Sequence, residues 1–401
     1  MTIAVVCGAA AICYLVHLFT RVILALRYQQ RLNETEHCDE PVTVLQPILS
    51  GDPDLQELLQ RNLHTATAQT QFLWLIDHDD PVAQQIAADI IQSVESSATA
   101  AQPRIQVYLC DPCPPDCNPK VWKLLAATDF ITTPFLAVLD DDTQLQPEHL
   151  QRAIALLRHA ELYTGLPCYD SNGNLWSNFL AHFVNNNSIL TYLPLLNFRP
   201  PLTINGMFYV LRQSTLREYG GFAAILHELC DDYAMARLVQ RHGGTILQGH
   251  TSQRLRTMLA DGRRYLIQMH RWFVFARLLI HDQSLRTRLV LGFWLGLPPL
   301  LLWLSLGLLC GGIAGAIGLA LLLVLRFSLL RFVQRRFFHP PPMFRLIPST
   351  ISELLQPFHF LHATWSSEIR WRKRRIRVSS DSSWRYLDHS SAPLQTAEET
   401  R

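Results

Sequence analysis

Hydrophobic positions cluster at the start of the chain. Residues Ile3–Thr20 contain no Asp, Glu, Lys or Arg, and the apolar run continues to Leu26 across a single arginine. About 20 apolar residues suffice for a helix that crosses the hydrocarbon core of a bilayer. No basic residue precedes the run, whereas Arg27 and Arg31 follow it. We therefore predict an uncleaved transmembrane anchor over 1–27, with its C-terminal end in the cytosol, in preference to a signal peptide or a buried soluble helix.

A second apolar run spans Leu289–Leu325, where 37 consecutive positions carry no charge. As one helix it would be about 55 Å long, nearly twice the ~30 Å hydrocarbon core of a bilayer. Glycines at 311, 312 and 315 interrupt the run near its middle. We predict two transmembrane helices within 287–332, joined by a tight turn. Arginines flank both ends, so both ends are expected on the cytosolic side with the polar middle of the chain.

Between these runs, residues 40–258 alternate short apolar stretches with amphipathic ones. The apolar stretches predicted as strands are Val42–Leu49, Phe72–Ile76, Ile105–Leu109 and Phe135–Leu139. Strands that alternate with helices predict an α/β domain with a mainly parallel sheet. In such sheets, ligands bind beyond the carboxyl ends of strands. Two of the predicted strands end in aspartates, at 77–80 and 140–142, so a polar ligand site is expected there.

Three segments follow this domain or the second apolar run. An amphipathic helix over 262–283 is predicted to lie in the membrane interface. Residues 343–378 are predicted to associate with the membrane or to re-enter it, and they end in a basic run suited to anionic headgroups. The last segment, 379–401, is rich in Ser, Thr and Glu and is predicted to be disordered.

Composition narrows the class of protein. Hydrophobic residues make up 49% of the chain and charged residues 17%, against a usual charged share of about 25%. This deficit excludes a disordered chain and disfavours a wholly water-soluble one. The net charge of +2 shows that the chain as a whole is not a polycation, so we expect no nucleic-acid partner. The nine cysteines are irregularly spaced, which favours a reducing compartment over a disulfide framework.

Cys110, Cys113 and Cys117 form the one thiol cluster with metal-like spacing. Structural zinc normally takes four ligands, and no further Cys or His nearby in the sequence completes the set. We therefore expect free loop thiols, with a structural metal as the minor alternative. The sequence contains neither a P-loop nor the glycine fingerprint of dinucleotide binding.

The aspartates after the fourth predicted strand have the spacing of a cation site. Asp140 and Asp142 are two positions apart, so their carboxylates can lie on one face of an extended chain. Mg²⁺ and Mn²⁺ bind carboxylate oxygens and complete their coordination with phosphate oxygens. We predict a site for a divalent cation and a diphosphate at these residues, with a solvated turn as the alternative.

Two later motifs carry candidate chemistry. Asp231 and Asp232 open an amphipathic helix, where acids either favour the helix dipole or supply a catalytic base for an acceptor hydroxyl. Arg271 and Trp272 lie on the predicted interface helix, before the second apolar run. Arg271 is suited to a leaving diphosphate and Trp272 to stacking on an acceptor. An ordinary aromatic-belt helix is the alternative.

Seven motifs follow one another in a specific order. They are His78-Asp-Asp80-Pro81, Asn118-Pro119-Lys120, Asp140-Asp-Asp142, Gly165-Leu-Pro167, Asn205-Gly206-Met207, Asp231-Asp232-Tyr233 and Gln268-Met-His-Arg271-Trp272. Together they resemble the inverting nucleotide-sugar transferases, and most closely the ceramide glucosyltransferase family. The resemblance covers residues 40–275 and the membrane segments on either side.

This resemblance implies a GT-A-like domain that faces the cytosol, a UDP-sugar donor, a divalent cation (Mg²⁺ or Mn²⁺) and a lipid acceptor in the bilayer. It also implies a role for each motif residue. These roles are uridine contact for Asp80, phosphate contact for Lys120, metal and donor binding for Asp140 with Asp142, proton acceptance for Asp232, and closure of the donor site for Gln268, Arg271 and Trp272.

The sequence departs from the family at two motifs. Ceramide glucosyltransferases tend to have one acid in the second acidic motif and Glu-Asp-Tyr in the third, whereas this chain has three acids in the second and Asp231-Asp232-Tyr233 in the third. The third motif also resembles that of bacterial hopanoid glycosyltransferases. We expect transfer of glucose from UDP-glucose to ceramide, with hopanoid or diacylglycerol acceptors, or a UDP-GlcNAc donor, as alternatives. A polysaccharide synthase and an inactive scaffold are weaker alternatives. The topology fits a bacterial inner membrane as well as the cytosolic face of Golgi or ER membranes.

Overall fold

A computed structural model describes residues 2–32, 36–96, 102–146, 148–171, 173–371, 374–379 and 383–387. The chain begins with helix α1 (Thr2–Arg31) and then enters an α/β domain. The strands described in this domain are β1 (Val42–Ile48), β2 (Thr70–Asp77), β3 (Arg104–Cys110), β4 (Phe135–Leu139), β5 (Thr143–Gln144), β6 (Leu162–Ser171), β7 (Phe208–Arg212) and β8 (Ile246–Thr257). Its helices are α2 (Leu55–Thr65), α3 (Pro81–Ser96), α4 (Pro119–Ala126), α5 (His149–Leu156), α6 (Leu175–Tyr192), α7 (Gln213–Glu218) and α8 (Asp231–Arg241).

These strands form one sheet in the order β3-β2-β1-β4-β7-β6-β8-β5. The first four strands are parallel, as predicted. The second half of the sheet is mixed, because β7 is antiparallel to both β4 and β6, β6 and β8 are parallel, and β5 is antiparallel to β8. The prediction of a mainly parallel sheet therefore holds for the first four strands and for the β6–β8 pair, whereas the antiparallel pairing of β7 and β5 was not predicted. The alternation of strands and helices predicts which residues form each element. It does not predict which strands become neighbours in the sheet.

The parallel half of the sheet is buried on both faces. Along β2, Phe72, Trp74 and Ile76 pack with α2 and α3 on one face. Leu73 and Leu75 pack with α4 and α8 on the other face. Successive side chains of a strand point to opposite faces, and a strand covered on both faces is apolar at every position. The carboxyl ends of β1, β2 and β4 consequently open at one rigid edge of a dry core.

The C-terminal third of the chain is helical and ends in a small sheet. Its elements are α9 (Gly262–His281), α10 (Leu285–Leu291), a π-helical turn (Gly292–Gly296), α11 (Leu297–Ser305), a 3₁₀ turn (Leu306–Gly311), α12 (Gly312–Phe337), α13 (Leu346–Leu354), α14 (Gln356–Trp365), and strands β9 (Glu368–Trp371), β10 (Arg374–Val378) and β11 (Trp384–Tyr386).

Among the described residues, two helical segments are long and apolar enough to cross a membrane. They are Ala4–Arg31 and the 53-residue segment Leu285–Phe337. The second segment breaks at Gly312, whose φ of +66° is a left-handed backbone conformation that glycine adopts without strain. Residues 285–337 therefore form two helical arms on either side of a glycine turn.

Both arms pack against α1. His17 contacts the Phe293 carbonyl and Cys7 lies against Gly307, so the first arm runs antiparallel to α1. Tyr14 contacts Arg326, and α12 starts beside the N-terminal end of α1, so the second arm runs parallel to it. The two arms thus make a helical hairpin whose open end lies next to the C-terminal end of α1.

A buried ion pair connects this hairpin to the helices that follow it. The Arg326 side chain on α12 is 0% exposed, and its Nη2 lies 2.7 Å from Glu353 Oε2 on α13. Its Nε donates to Tyr14 Oη (3.0 Å) and its Nη1 to Ser349 Oγ (2.9 Å). Buried charges are costly unless they are paired in this way. The pair therefore ties α1, α12 and α13 into one body.

The basic run near the C-terminus forms part of a small antiparallel sheet. Strand β10 pairs with β9, and Arg375 and Arg377 form ion pairs with Glu368. Strand β11 pairs with β10, so the prediction of disorder over 379–401 is wrong for Trp384–Tyr386. The cross-strand pairing with β10 supplies the order that the polar composition of this segment does not predict. The rest of the predicted tail, apart from 379, 383 and 387, lies outside the described residues.

Candidate active site

The loop after β1 connects two of the acidic motifs. The Leu49 amide donates to Asp141 Oδ2 (2.8 Å), and the next amide, that of Ser50, donates to Asp80 Oδ2 (2.8 Å). Asp80 Oδ1 also accepts from the Ala83 amide (3.1 Å) at the start of α3. Although burial opposes it, hydrogen bonding to these amides holds the pKa of Asp80 below its ordinary value. Asp80 is thus a fixed carboxylate at the edge of the sheet.

A lysine on α4 pairs with a second carboxylate beneath this loop. Lys123 is 2% exposed, and its Nζ lies 2.9 Å from Asp77 Oδ2 at the end of β2. The same ammonium donates to the carbonyl of Ile48 (2.8 Å). Lys123 is not among the predicted site residues, whereas Asp77 belongs to the aspartate cluster predicted at 77–80. The sequence does hold a signal for this lysine, since the chain has three lysines and two of them lie three positions apart in α4.

Lys120, the other α4 lysine, joins the second acidic motif to the third. Its Nζ lies 2.6 Å from Asp140 Oδ1 and 3.3 Å from Asp231 Oδ2. Burial lowers the pKa of Lys120, but the charges of Asp140 and Asp231 outweigh burial and raise it well above its ordinary value. Lys120 is therefore a permanent cation that holds the end of β4 close to the start of α8.

A glycine allows the third motif to approach this cation. Lys120 Nζ donates to the Gly206 carbonyl (2.9 Å). A Cβ atom at position 206 would lie 3.1 Å from the Cβ of Asp232, closer than ordinary van der Waals contact. The Asn205-Gly206-Met207 motif thus lies between Lys120 and Asp232, and a larger residue at 206 would push α8 away.

Asn118 fixes the loop that precedes α8. Its side-chain oxygen caps α4 by accepting from the amides of Lys120 (3.0 Å) and Val121 (3.3 Å). Its side-chain amide donates to the carbonyls of Glu228 (2.9 Å) and Leu229 (3.3 Å). One residue therefore positions both the Lys120 helix and the turn that leads into Asp231 and Asp232.

Asp232 combines a fixed position with a perturbed acidity. Its Oδ1 accepts from the thiol of Cys230 (2.9 Å) and from the Tyr233 amide (2.7 Å). Burial, followed by the charge of Asp231, raises the pKa of Asp232 to about 6, although both hydrogen bonds oppose the rise. A carboxylate with this pKa is charged at neutral pH and is a stronger base than an ordinary aspartate.

The Gln268–Trp272 motif lies on α9 and faces the same region. Arg271 Nη2 donates to Gln268 Oε1 (3.0 Å). The Trp272 ring stacks on Phe183 with the ring centroids 6.2 Å apart, and it meets Tyr169 edge-on at 6.1 Å. Burial, followed by the charges of Asp142 and Asp140, raises the pKa of Tyr169, and Arg271 opposes this rise. Tyr169 therefore lies within electrostatic reach of both the Asp140–Asp142 pair and Arg271.

The second acidic motif fits a divalent cation. Burial, followed by the charges of Asp141, Asp140 and Asp52, raises the pKa of Asp142 well above its ordinary value. A cation beside Asp142 would offset this concentration of negative charge, and the donors are oxygens, which Mg²⁺ and Mn²⁺ prefer. The ion pair with Lys120 involves one oxygen of Asp140. Asp140 and Asp142 are the residues that would hold such a cation.

The structure thus brings the predicted site residues together through identifiable links. Lys120 contacts both Asp140 and Asp231, and the Tyr169 ring meets Trp272 of the Gln268–Trp272 motif. The loop after β1 links Asp80 to Asp141 of the second acidic motif. Lys123 and Tyr169 are site residues that the sequence analysis does not single out.

The chain is similar to several proteins of known function. The chain is 22% identical over 387 residues to ceramide glucosyltransferase 1 from Caenorhabditis elegans, covering 93% of this chain and 79% of that protein. A solved mannosyltransferase from Pyrobaculum calidifontis, in complex with GDP-Man and Mn²⁺, has a TM-score of 0.48 and 13% identity, covering 90% of this chain and 99% of its own. Glucosyl-3-phosphoglycerate synthase from Mycobacterium tuberculosis, solved with Mn²⁺, UDP and phosphoglyceric acid, has a TM-score of 0.35 and 10% identity, covering 60% and 76%.

The predicted α/β domain is confirmed, and its sequence is that of a glycosyltransferase. Residues 3–384 match glycosyl transferase family 21, and the chain belongs to that family. The resemblance identified from the seven motifs is therefore confirmed over nearly the whole chain.

Proposed function

We propose that this glycosyltransferase transfers a sugar, glucose as the first choice, from a UDP-sugar to the hydroxyl group of a membrane lipid, ceramide as the first choice, with inversion at the anomeric carbon. Family membership and the relationship to a ceramide glucosyltransferase support the choice of substrates. The carboxylates and cations at the edge of the sheet support the chemistry, because a departing nucleoside diphosphate needs its charge stabilised.

One observation supports a membrane lipid as the acceptor. The residue after Asp232 is Tyr233, whose hydroxyl donates to Asp282 Oδ2 (2.6 Å), and Arg237 on the same helix pairs with the same carboxylate. Asp282 ends α9, three residues before α10 opens the apolar segment Leu285–Phe337. Asp232 is therefore tethered to the place where the chain would enter the bilayer. A base at this position can reach a hydroxyl at the membrane surface.

The mechanism that we propose assigns one task to each group of residues. Asp232 accepts the proton of the acceptor hydroxyl as that oxygen attacks the anomeric carbon, and UDP leaves from the opposite face. Arg271 and Lys120 lie where positive charge can stabilise the departing diphosphate. Asp80 is placed to hold the uridine end of the donor. A divalent cation on Asp140 and Asp142 would act as a Lewis acid toward the phosphate oxygens.

The membrane arrangement belongs to the same proposal. Residues 1–27 and 287–332 would span the bilayer, the domain of residues 40–258 would face the cytosol, and 262–283 and 343–378 would lie at the interface. The antiparallel hairpin beside α1 supports this arrangement, because its open end and the end of α1 lie on the same side. Arginines cluster at these ends, which are the cytosolic ends under the positive-inside rule.

An acceptor assay tests this function. Purified enzyme in vesicles is expected to release UDP from UDP-glucose, and to form a glycolipid, when the vesicles contain ceramide. Acceptor specificity is measured with vesicles that contain diacylglycerol or a hopanoid, and donor specificity with UDP-GlcNAc. The Asp232→Asn variant is the negative control. If the enzyme glycosylates another of these lipids faster than ceramide, that lipid replaces ceramide as the proposed acceptor. Release of UDP with none of the lipids, or long products without any added lipid, would refute lipid glycosylation.

The acidity of Asp232 predicts a pH profile. Because the base must be charged to accept a proton, kcat/KM for the acceptor is expected to fall as the pH drops through about 6 and to be about tenfold lower at pH 5 than at neutral pH. Cys230→Ala removes a hydrogen bond that favours the charged form of Asp232. The acidic side of the pH profile should therefore move to higher pH in this variant. A profile that is flat from pH 5 to pH 8 in both proteins would contradict the assignment.

A further inference from the structure

A cluster of metal-ligating side chains lies outside the candidate active site. Asp116, Cys117 and His227 each offer one ligand atom, and these atoms all lie within 4.8 Å of one another. Cys117 Sγ is 4.0 Å from His227 Nδ1 and 3.7 Å from Asp116 Oδ1. His227 Nδ1 is 3.7 Å from Asp116 Oδ2. The histidine comes from a loop 110 residues further along the chain.

The donor set and its spacing suit zinc. A thiolate, an imidazole and a carboxylate are the zinc ligands of proteins, at about 2.3, 2.0 and 2.1 Å from the metal. In a tetrahedral site these distances separate the donor atoms by about 3.3–3.6 Å. In this cluster Cys117 Sγ and His227 Nδ1 are 4.0 Å apart, and with a single Asp116 oxygen the three ligand atoms all lie within 4.8 Å of one another. Rotation of the exposed Asp116 and His227 side chains would bring the three atoms to ligand distances.

Without a metal, hydrogen bonds hold the same side chains. His227 Nδ1 lies 2.9 Å from the Asp116 carbonyl oxygen, and this contact would give way to metal ligation. Cys117 is 3% exposed, whereas the side chains of Asp116 and His227 are 76% and 63% exposed. The Cys117 thiol thus lies at the buried side of the cluster, and a metal ion can reach it from solvent past the two exposed side chains.

The backbone at two of the ligands is held from several sides. The Trp384 indole donates to the His227 carbonyl (2.7 Å), and the Tyr386 hydroxyl donates to the Cys117 carbonyl (3.5 Å), both from strand β11. The neighbouring Asn118 amide donates to the Leu226 carbonyl (2.8 Å). The two loops are consequently fixed relative to each other before any ligand binds, which lowers the cost of assembling a metal site.

We propose that Asp116, Cys117 and His227 hold a zinc ion, with water as the fourth ligand, and that this ion clamps the loop before α4 to the loop before α8. A site with a soft thiolate ligand differs in class from the oxygen-only pair Asp140 and Asp142, which favours Mg²⁺ or Mn²⁺. The zinc would tie together the two turns that Asn118 already connects, and hence the positions of Lys120 and Asp232. The expectation of free loop thiols is thereby replaced for Cys117, because the fold supplies a histidine that the local sequence lacks.

Metal binding by the purified full-length protein in detergent tests this proposal. The wild-type protein is expected to take up about one equivalent of Zn²⁺ in competition with a chromophoric chelator. Substitution by Co²⁺ should produce a thiolate-to-cobalt charge-transfer absorption, which the carboxylate pair cannot give. Cys117→Ser should abolish this absorption and weaken zinc binding at least tenfold. His227→Gln should weaken zinc binding similarly and should leave the fold intact, because the His227 side chain is exposed.

Cys310→Ser is the matched control, because Cys310 is an exposed cysteine on the helical hairpin. It should retain the zinc and the cobalt absorption of the wild type. The proposal fails if the wild-type protein takes up less than a tenth of an equivalent, or if Cys117→Ser and His227→Gln bind zinc as the wild type does. These experiments measure metal binding and not sugar transfer. Failure of the zinc proposal can therefore be distinguished from failure of the proposed function.

Discussion

Replacing Asp232 with asparagine is expected to lower the rate of sugar transfer at least about 100-fold, the range seen when a general base is removed. The amide has nearly the same shape, and its oxygen can still accept from the Tyr233 amide and the Cys230 thiol. It cannot accept a proton from the acceptor. Binding of the UDP-sugar should persist, since the donor contacts that we propose lie on Asp80, Lys120 and the second acidic motif. Initial rates and calorimetric titration with UDP measure the two properties.

Glu228→Gln is the matched control for this change. It removes one carboxylate from the same loop, and the Glu228 side chain is exposed, whereas its backbone carbonyl is the group that accepts from Asn118. Its rate should stay near that of the wild type. Near wild-type turnover by Asp232→Asn would show that the base is another group. Loss of both transfer and UDP binding in that variant would indicate a structural role instead.

Removal of divalent cations is the second change with a large expected effect. Chelation should stop transfer, because Asp140 and Asp142 alone would place negative charge beside the diphosphate instead of neutralising it. Activity should return when Mn²⁺ or Mg²⁺ is added back in excess. Asp142→Asn should be at least about 100-fold slower than the wild type at saturating metal, consistent with the size of a lost electrostatic contribution to catalysis.

Asp79→Asn is the control for the loss of a negative charge near the sheet edge, because Asp79 is exposed beside the buried Asp80. Its activity and its dependence on added metal should match those of the wild type. Full activity of the wild type in excess chelator, with no response to added Mn²⁺, would remove the metal from the proposed mechanism. An Asp142→Asn variant with wild-type activity would remove Asp142 as a ligand.

Local sequence was enough to predict the parts of the site that lie at strand ends. Asp80 follows β2 and Asp140 follows β4, and both strands are parallel to β1, so their carboxyl ends share one edge. That geometry follows from the alternation of apolar strands and helices. The apolar runs similarly indicated α1 and the helices on either side of the glycine turn.

Contacts between distant segments could not be predicted in this way. The bridge from Asp140 through Lys120 to Asp231 depends on β7 entering the sheet antiparallel to β4, which no local pattern encodes. The meeting of Cys117 with His227 depends on the same loop placement. Glu353 stands within a mostly apolar stretch, and only the fold identifies Arg326 as its partner.

The partnership of Arg326 with Glu353 also bears on how the chain is made. During synthesis, residues 312–337 leave the ribosome before position 353 does, so the guanidinium must wait for its counter-charge. In the proposed membrane arrangement, lasting insertion of the second arm of the hairpin would then depend on α13 packing behind it, with Tyr14 already in place on the first helix. Folding of the membrane part would be complete only after the C-terminal helices have emerged.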